Sequence, residues 1–205
     1  MAKLYFKYGA MGSSKTAQAL ITKFNYEERG MKVWLIKPAL DTRDGEAVIR
    51  SRIGLEARCF PIGREVDLLA LYKEGYTDYD VIIADECQFF TEAQVDALRV
   101  IVNDYNIPVL CFGLRTDFLC RLFEGSRRLF EVADSIAEIK TICSCGSKAT
   151  VNARLDGNMR VVTEGAQVML GGNDCYLAMC HKCWQDAIRM QNAKCKMQNQ
   201  ERPEE

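Results

Sequence analysis

Up to Lys140 the chain alternates short apolar runs with stretches of helical period, and this alternation predicts strands joined by helices. Leu4 to Tyr8 is an alternating run that leads into glycine. Ala17, Ala19, Leu20, Ile21 and Phe24 then fall on a helical period over Ala17 to Arg29, with Gly30 placed to close the helix. Lys32 to Lys37 predicts a second strand stopped by Pro38, giving a right-handed strand–helix–strand unit with parallel strands. Glu46 to Arg58 gives only a weak strand or mobile-loop signal, and Asp67 to Lys73 predicts a short helix ahead of Gly75. Val81-Ile82-Ile83-Ala84 is continuously apolar, as a central strand covered on both faces must be. Thr91-Glu92-Ala93-Gln94 is a capping box that opens a helix running to about Tyr105. Pro108 to Gly113 is a further buried strand, its proline at the first position where a missing donor is tolerated. A helix near Arg127 to Ala133 and a strand over Ser135 to Lys140 complete an α/β domain spanning residues 1–140.

Beyond Lys140 the pattern changes to cysteine, glycine and short alternating runs, which predicts a small metal-stapled β domain over residues 141–190. Residues 191–205 are polar and tail-like, and are expected to be disordered. A formal net charge of −1 argues against a mainly electrostatic nucleic-acid binder. Arg127 and Arg128 are balanced by Glu124 and Glu131, and Lys140, Lys148, Arg154, Arg160, Lys182 and Arg189 are too scattered to form a basic face. No apolar run approaches the ~20 residues of a membrane span and no targeting segment precedes the first strand, so a cytoplasmic protein is expected. The ten cysteines are therefore read as buried thiols or metal ligands before disulfides.

The chemistry begins at Gly9-Ala10-Met11-Gly12-Ser13-Ser14-Lys15-Thr16, which sits between a strand and a helix. Main-chain N–H groups of such a loop converge on phosphate, the helix N-terminus adds partial positive charge, the lysine reaches the outer phosphates and the threonine hydroxyl ligates Mg²⁺. The usual pattern has glycine before the lysine, where this chain has Ser14; if that position needs positive φ, serine costs roughly 1–2 kcal/mol. Asp85 and Glu86 end the buried Val81 run, which is where a second nucleotide signature places a metal-binding carboxylate. The polar loop after Pro38, Asp41-Thr42-Arg43-Asp44-Gly45, lies at a strand's carboxyl end, where α/β sheets bind ligands.

Three stretches together, Asp85 to Phe89, Gly113 to Phe118 and Lys37 to Arg43, resemble the zinc-containing, RecA-like class of thymidine kinases, and with the late cysteines the resemblance reaches about Trp184. It implies a P-loop parallel sheet flanked by helices, with a small zinc-stapled β domain that carries a lasso loop. In that reading Gly9 to Thr16 hold the phosphates of ATP, with Lys15 on the outer groups; Thr16 and Asp85 serve Mg²⁺, and Gln88 joins the cofactor site. Glu86 is the general base on the nucleoside 5′-OH, and Asp41 and Arg43 lie near the phosphoacceptor. Met11, Phe89, Leu114, Phe118 and Tyr176 surround the deoxyribose and base. The lasso corresponds to Asp156 to Gly172, with Gln167, Val168 and Met169 where main-chain contacts to the pyrimidine fall, Gly171-Gly172 as the return turn, and Asn152 where a side chain approaches the base. The resemblance further implies a homotetramer, with thymidine triphosphate as feedback inhibitor. A different class of reading is a P-loop ATPase or nucleotide-binding module whose zinc unit binds protein or nucleic acid.

The metal site follows from spacing as well. Cys180-His181-Lys182-Cys183 supplies one pair and Cys143-Ser144-Cys145 another, the two-pair layout of structural zinc, although the first pair has a single intervening residue. His181, the only histidine, is expected at the surface. Cys59, Cys87, Cys111 and Cys120 read as small buried hydrophobes, Cys195 as a free thiol, and Cys175 stays ambiguous.

Overall fold

The computed structural model describes residues 1–42, 45, 47–168 and 175–200, with 194–200 as backbone alone. In chain order the elements are β1 (Leu4–Tyr8), α1 (Lys15–Glu27), β2 (Val33–Pro38), β3 (Val48–Arg50), β4 (Glu56–Arg58), β5 (Phe60–Ile62), α2 (Leu68–Gly75), β6 (Val81–Ala84), α3 (Glu92–Tyr105), β7 (Val109–Gly113), α4 (Glu124–Val132), β8 (Ser135–Glu138), β9 (Val151–Arg154), β10 (Tyr176–Met179) and α5 (His181–Gln200). A six-stranded sheet takes the order β5-β2-β6-β7-β1-β8, with every neighbouring pair parallel.

The two-residue period of the strands divides the sheet's apolar side chains between two cores. Ile82 and Ala84 of β6, with Leu4, Phe6, Ile36 and Val109, pack against Leu68 and Tyr72 of α2, Val95, Leu98 and Ile101 of α3, and Leu129 of α4. Val81 and Ile83, with Val33, Leu35, Leu110 and Phe112, face Ala19 and Leu20 of α1. The whole of β6 is shielded from solvent, which explains its unbroken apolar sequence. Each such aliphatic side chain contributes about 1.5–3 kcal/mol by leaving water. Because the sheet is parallel, the carboxyl ends of β1, β2, β6 and β7 share one edge, so that all the loops following them gather there.

Several local features depart from the sequence pattern. The weak signal at Glu46 to Arg58 resolves into the antiparallel β3–β4 hairpin, which turns at Gly54 (φ 87°). β5, too short to show a period, pairs with β2 at the sheet's edge, and its Pro61 is tolerated there. Pro38 stays within β2, opposite Ile62. The α2 helix starts later than its pattern, because Asp67 is its N-cap and accepts a hydrogen bond from Ala70 N at 3.0 Å.

In the second unit β9 and β10 form an antiparallel pair, with a core of Cys143, Ala149 and Cys180. Here α5 spans His181–Gln200, so residues 191–200 of the tail-like stretch are helical, and 201–205 lie outside the described residues. No glycine or proline interrupts it, and Gln191 bonds both ways with the Val161 backbone, at 2.8 and 3.1 Å. Among the described residues no helix is long and apolar enough to cross a membrane.

Candidate active site

The loop after β1 is shaped by close approach. A Cβ on Gly9 would lie 2.3 Å from Ile139 O and 2.4 Å from Ser13 Oγ, so only glycine fits. Ser14 has φ 62° and ψ 25° and makes no side-chain cap bond, so serine does adopt the left-handed conformation that the usual glycine would take without strain. Lys15 is buried, and its Nζ donates to Ala10 O at 2.9 Å and to Ser13 Oγ at 3.4 Å. The amides opening α1 point out of the helix end, a position that favours an anion.

Across β7, the end of β6 presents Asp85 and Glu86. Asp85 is buried, and its Oδ1 has no hydrogen-bond partner. Burial and the adjacent Glu86 raise its pKa to about 7, against the pull of the Thr16 hydroxyl and Lys15. Glu86 has φ 50°, a left-handed backbone at a non-glycine residue. Its Oε2 accepts from Gln88 Nε2 at 2.6 Å, while Gln88 Oε1 accepts from Leu114 N at 2.9 Å. Gly113 leaves room for this bridge, since a Cβ there would come within 2.8 Å of Gln88 Oε1. A cleft of about 530 Å³ is lined by Met11, Gly12, Ser14, Lys15 and Thr16 of the loop, by Asp41, Asp85, Glu86 and Leu114 from strand ends, and by the β3–β4 turn. Beside it, buried Lys37 at the end of β2 holds the following loop through Gly45 O and Val48 O at 2.8 and 2.9 Å.

A second cluster forms where β9 meets the loop after β7. Asn152 accepts from Met11 N at 2.8 Å and donates to Thr116 O at 2.8 Å. Arg154, only 4 % exposed, donates through Nε to Tyr176 Oη at 2.9 Å, and through its two terminal nitrogens to Ala166 O and Gln167 O at 2.9 and 3.1 Å. Its guanidinium lies 3.8 Å from the centre of the buried Phe118 ring. Asp117 is buried as well: Oδ1 accepts from Leu119 N and Arg121 N, both at 2.9 Å, and Oδ2 accepts from Gln167 Nε2 at 3.0 Å.

The sulfurs of Cys143, Cys145, Cys180 and Cys183 all lie within 4.8 Å of one another, with Cys145 and Cys180 at 3.7 Å. Tetrahedral zinc with ~2.3 Å bonds sets sulfurs about 3.8 Å apart, so the cluster matches its size. Hydrogen bonds from Ser147 pull the Cys145 thiol down to about 6, while those with Cys180 and Cys145 push the Cys183 thiol up. Four neighbouring thiols cannot all ionise unaided, and a bound dication removes that obstacle. His181 is exposed and packs edge-on to Trp184 at 5.4 Å, outside the cluster.

The profile of the thymidine kinase family matches residues 2–184. The chain belongs to the thymidine kinase family. It is 46% identical over 184 residues to the thymidine kinase of Zymomonas mobilis subsp. mobilis, covering 89% of this chain and 95% of the relative. To the thymidine kinase of Enterobacteria phage T4 it is 43% identical over 191 residues, covering 92% and 98%. To that of Rhizobium meliloti it is 44% identical over 193 residues, covering 92% and 99%.

Within this family frame the structure gathers Met11, Gly12, Ser14, Lys15, Thr16, Asp41, Asp85, Glu86 and Leu114 in one cleft. Gly9, Ala10 and Ser13 underlie it, shaping the loop from below. Gln88 is 1 % exposed, and both ends of its amide are engaged, with Glu86 and Leu114. Asn152 likewise has both amide ends engaged, tying loops together. Phe118, Gln167 and Tyr176 meet around Arg154 and Asp117, with Val168 following. Phe89 packs edge-on to Phe123 at 5.6 Å. Arg43, Met169 and the Gly171-Gly172 turn lie outside the described residues. Sequence reasoning passed over Lys37, Asp117 and Arg154; the one signal for Arg154 was its place two residues from Asn152.

Proposed function

We propose that this protein transfers the γ-phosphoryl group of ATP to the 5′-OH of thymidine, and of deoxyuridine, yielding the monophosphate for DNA synthesis. The observation that carries this reading is the single cleft in which Lys15 and Thr16 of the phosphate loop face Asp85 and Glu86. Phosphoryl transfer needs positioning, charge neutralisation and a base, and little covalent help. The loop amides and Lys15 hold the outer phosphates. Glu86, fixed by Gln88, takes the proton from the attacking hydroxyl as it moves in line on the γ-phosphorus. Asp41 and Arg43 steady the acceptor end. The partnerless, buried Oδ1 of Asp85 beside the Thr16 hydroxyl suits Mg²⁺, which when bound supplies charge neutralisation at the phosphates.

On the acceptor side Met11, Phe89, Leu114, Phe118 and Tyr176 form the walls for deoxyribose and base. The lasso's main chain at Gln167, Val168 and Met169 reads the pyrimidine edge, and a cytosine edge leaves those groups unpaired. The four cysteines hold one structural zinc that staples residues 141–190. The working protein is a cytoplasmic homotetramer inhibited by thymidine triphosphate, in keeping with its family.

The test is phosphate transfer from labelled ATP to a panel of deoxynucleosides, comparing wild type with Glu86→Gln. Label is expected in thymidine and deoxyuridine monophosphates with the wild type alone. Absence of transfer to any nucleoside, with zinc and Mg²⁺ supplied, overturns the assignment.

A further inference from the structure

Arg154 is a buried cation with no carboxylate paired to it among the described residues. Its charge is met instead by two main-chain carbonyls, a tyrosine oxygen and a ring face. Such an arrangement is costly to bury and costly to break, since a removed guanidinium leaves three acceptors unpaired. The two carbonyls have a further property. Ala166 C=O belongs to the peptide group whose N–H is that of Gln167, and Gln167 C=O to the one whose N–H is that of Val168. A cation bonded to a peptide oxygen draws charge through the amide, making the opposite N–H a stronger donor and fixing its direction. The same loop is fastened at a second point, by Gln167 Nε2 on the buried Asp117 carboxylate. The loop is thereby held at two successive peptide planes by one planar fork, for which lysine has no equivalent.

We propose that Arg154 is a positioning residue for pyrimidine selection: it orients and polarises the Gln167 and Val168 N–H groups that face the base, with Asp117 as the second anchor. The proposal rests on the reading of residues 156–172 as the base-reading loop. The partners of the Arg154 guanidinium are Tyr176, Ala166, Gln167 and Phe118, none of them in the phosphate loop. Its contribution therefore falls on nucleoside recognition and leaves the donor cleft unaffected.

The experiment measures kcat and KM for thymidine and deoxycytidine, and KM for ATP, in full-length Arg154→Lys, Arg154→Met and Val168→Pro beside wild type. Zinc content and thermal unfolding are recorded for each. For the two Arg154 variants the KM for thymidine is expected to rise ~10–100-fold, as loss of charge-assisted hydrogen bonds does, with kcat within about threefold and KM for ATP unchanged. The preference for thymidine over deoxycytidine is expected to narrow by about tenfold, because polarised donors discriminate best between the two edges. Arg154→Met preserves the apolar stem against Phe118; if it fails to hold zinc or fold, Arg154→Lys, which retains a charge, carries the reading. Folded variants with unchanged thymidine KM and unchanged preference overturn the proposal, as does a fall in kcat matched by a rise in KM for ATP. Val168→Pro separates the two layers. If it leaves thymidine KM unchanged, the loop does not read the base and the proposal falls with that premise. If it raises KM while the Arg154 variants do not, the loop reading stands and Arg154 is excluded.

Discussion

The two halves of the molecule are held together in different ways. The sheet domain rests on two extensive apolar cores, on opposite faces of six parallel strands. The second unit has a core of Cys143, Ala149 and Cys180, two of them thiols of the four-cysteine group, and is joined by polar ties from Asn152, Arg154 and Gln167 to neighbouring loops. The phosphate loop is seated on the ends of buried parallel strands. A nucleoside-binding loop mounted on a small unit is only as ordered as its staples. The phosphate-loop side is therefore a matter of packing, and the proposed acceptor side a matter of hydrogen bonds and, in the proposed reading, of metal coordination.

This contrast is open to direct attack. The largest effect is expected on the donor side from Glu86→Gln, which removes the proposed base while keeping shape: turnover should fall ~10²–10⁴-fold with nucleotide binding and melting temperature retained. Unchanged turnover in a labelled-ATP assay would refute the role of Glu86. Next, Ile83→Ala opens a cavity between β6 and α1, and should lower the unfolding free energy of the sheet domain by about 2–5 kcal/mol in urea titration. The comparison weakens if the cost is negligible. Stripping the metal with a chelator, or Cys180→Ser, should raise KM for thymidine about tenfold or more by loosening the second unit, leaving ATP binding and most far-UV ellipticity in place. Elemental analysis should find close to one zinc per chain beforehand. Collapse of both halves together on chelation would show that they are not separately held. The smallest effect is expected from Ser14→Gly. It relieves a left-handed serine, and net of glycine's greater chain entropy it should add at most about 1 kcal/mol to stability, with KM for ATP unchanged or lower. A clear loss of ATP affinity would assign the hydroxyl a role of its own.

How far these features could be read in advance depended on whether their cause is local. Gly9 to Thr16 and Asp85-Glu86 were legible because a strand, a turn and a residue type within a few positions define them. β6 was legible because burial on both faces writes itself as Val81 to Ala84. β5 was not, since three residues show no period and its pairing with β2 is a tertiary fact. The reach of α5 was hidden by polar composition, which signals disorder only when no partner such as Val161 awaits. The tie from Gln88 to Glu86 and Leu114 was not legible, because it depends on burial that brings distant residues together. Arg154 looked like one of several scattered surface cations; no property of the residue announces that Phe118, Ala166 and Gln167, distant in sequence, close around it.

Strand β9 carries Asn152, tied to Met11 of the phosphate loop, and two positions on, Arg154, tied to the loop that follows β9. Alternate residues of a strand stand about 6.6 Å apart on one face. The strand thus works as a gauge block between the phosphate loop and the proposed nucleoside side. Its length cannot be adjusted by small steps, because inserting one residue would turn one of the two side chains to the opposite face. The separation between the two loops is thus quantised by the pleat.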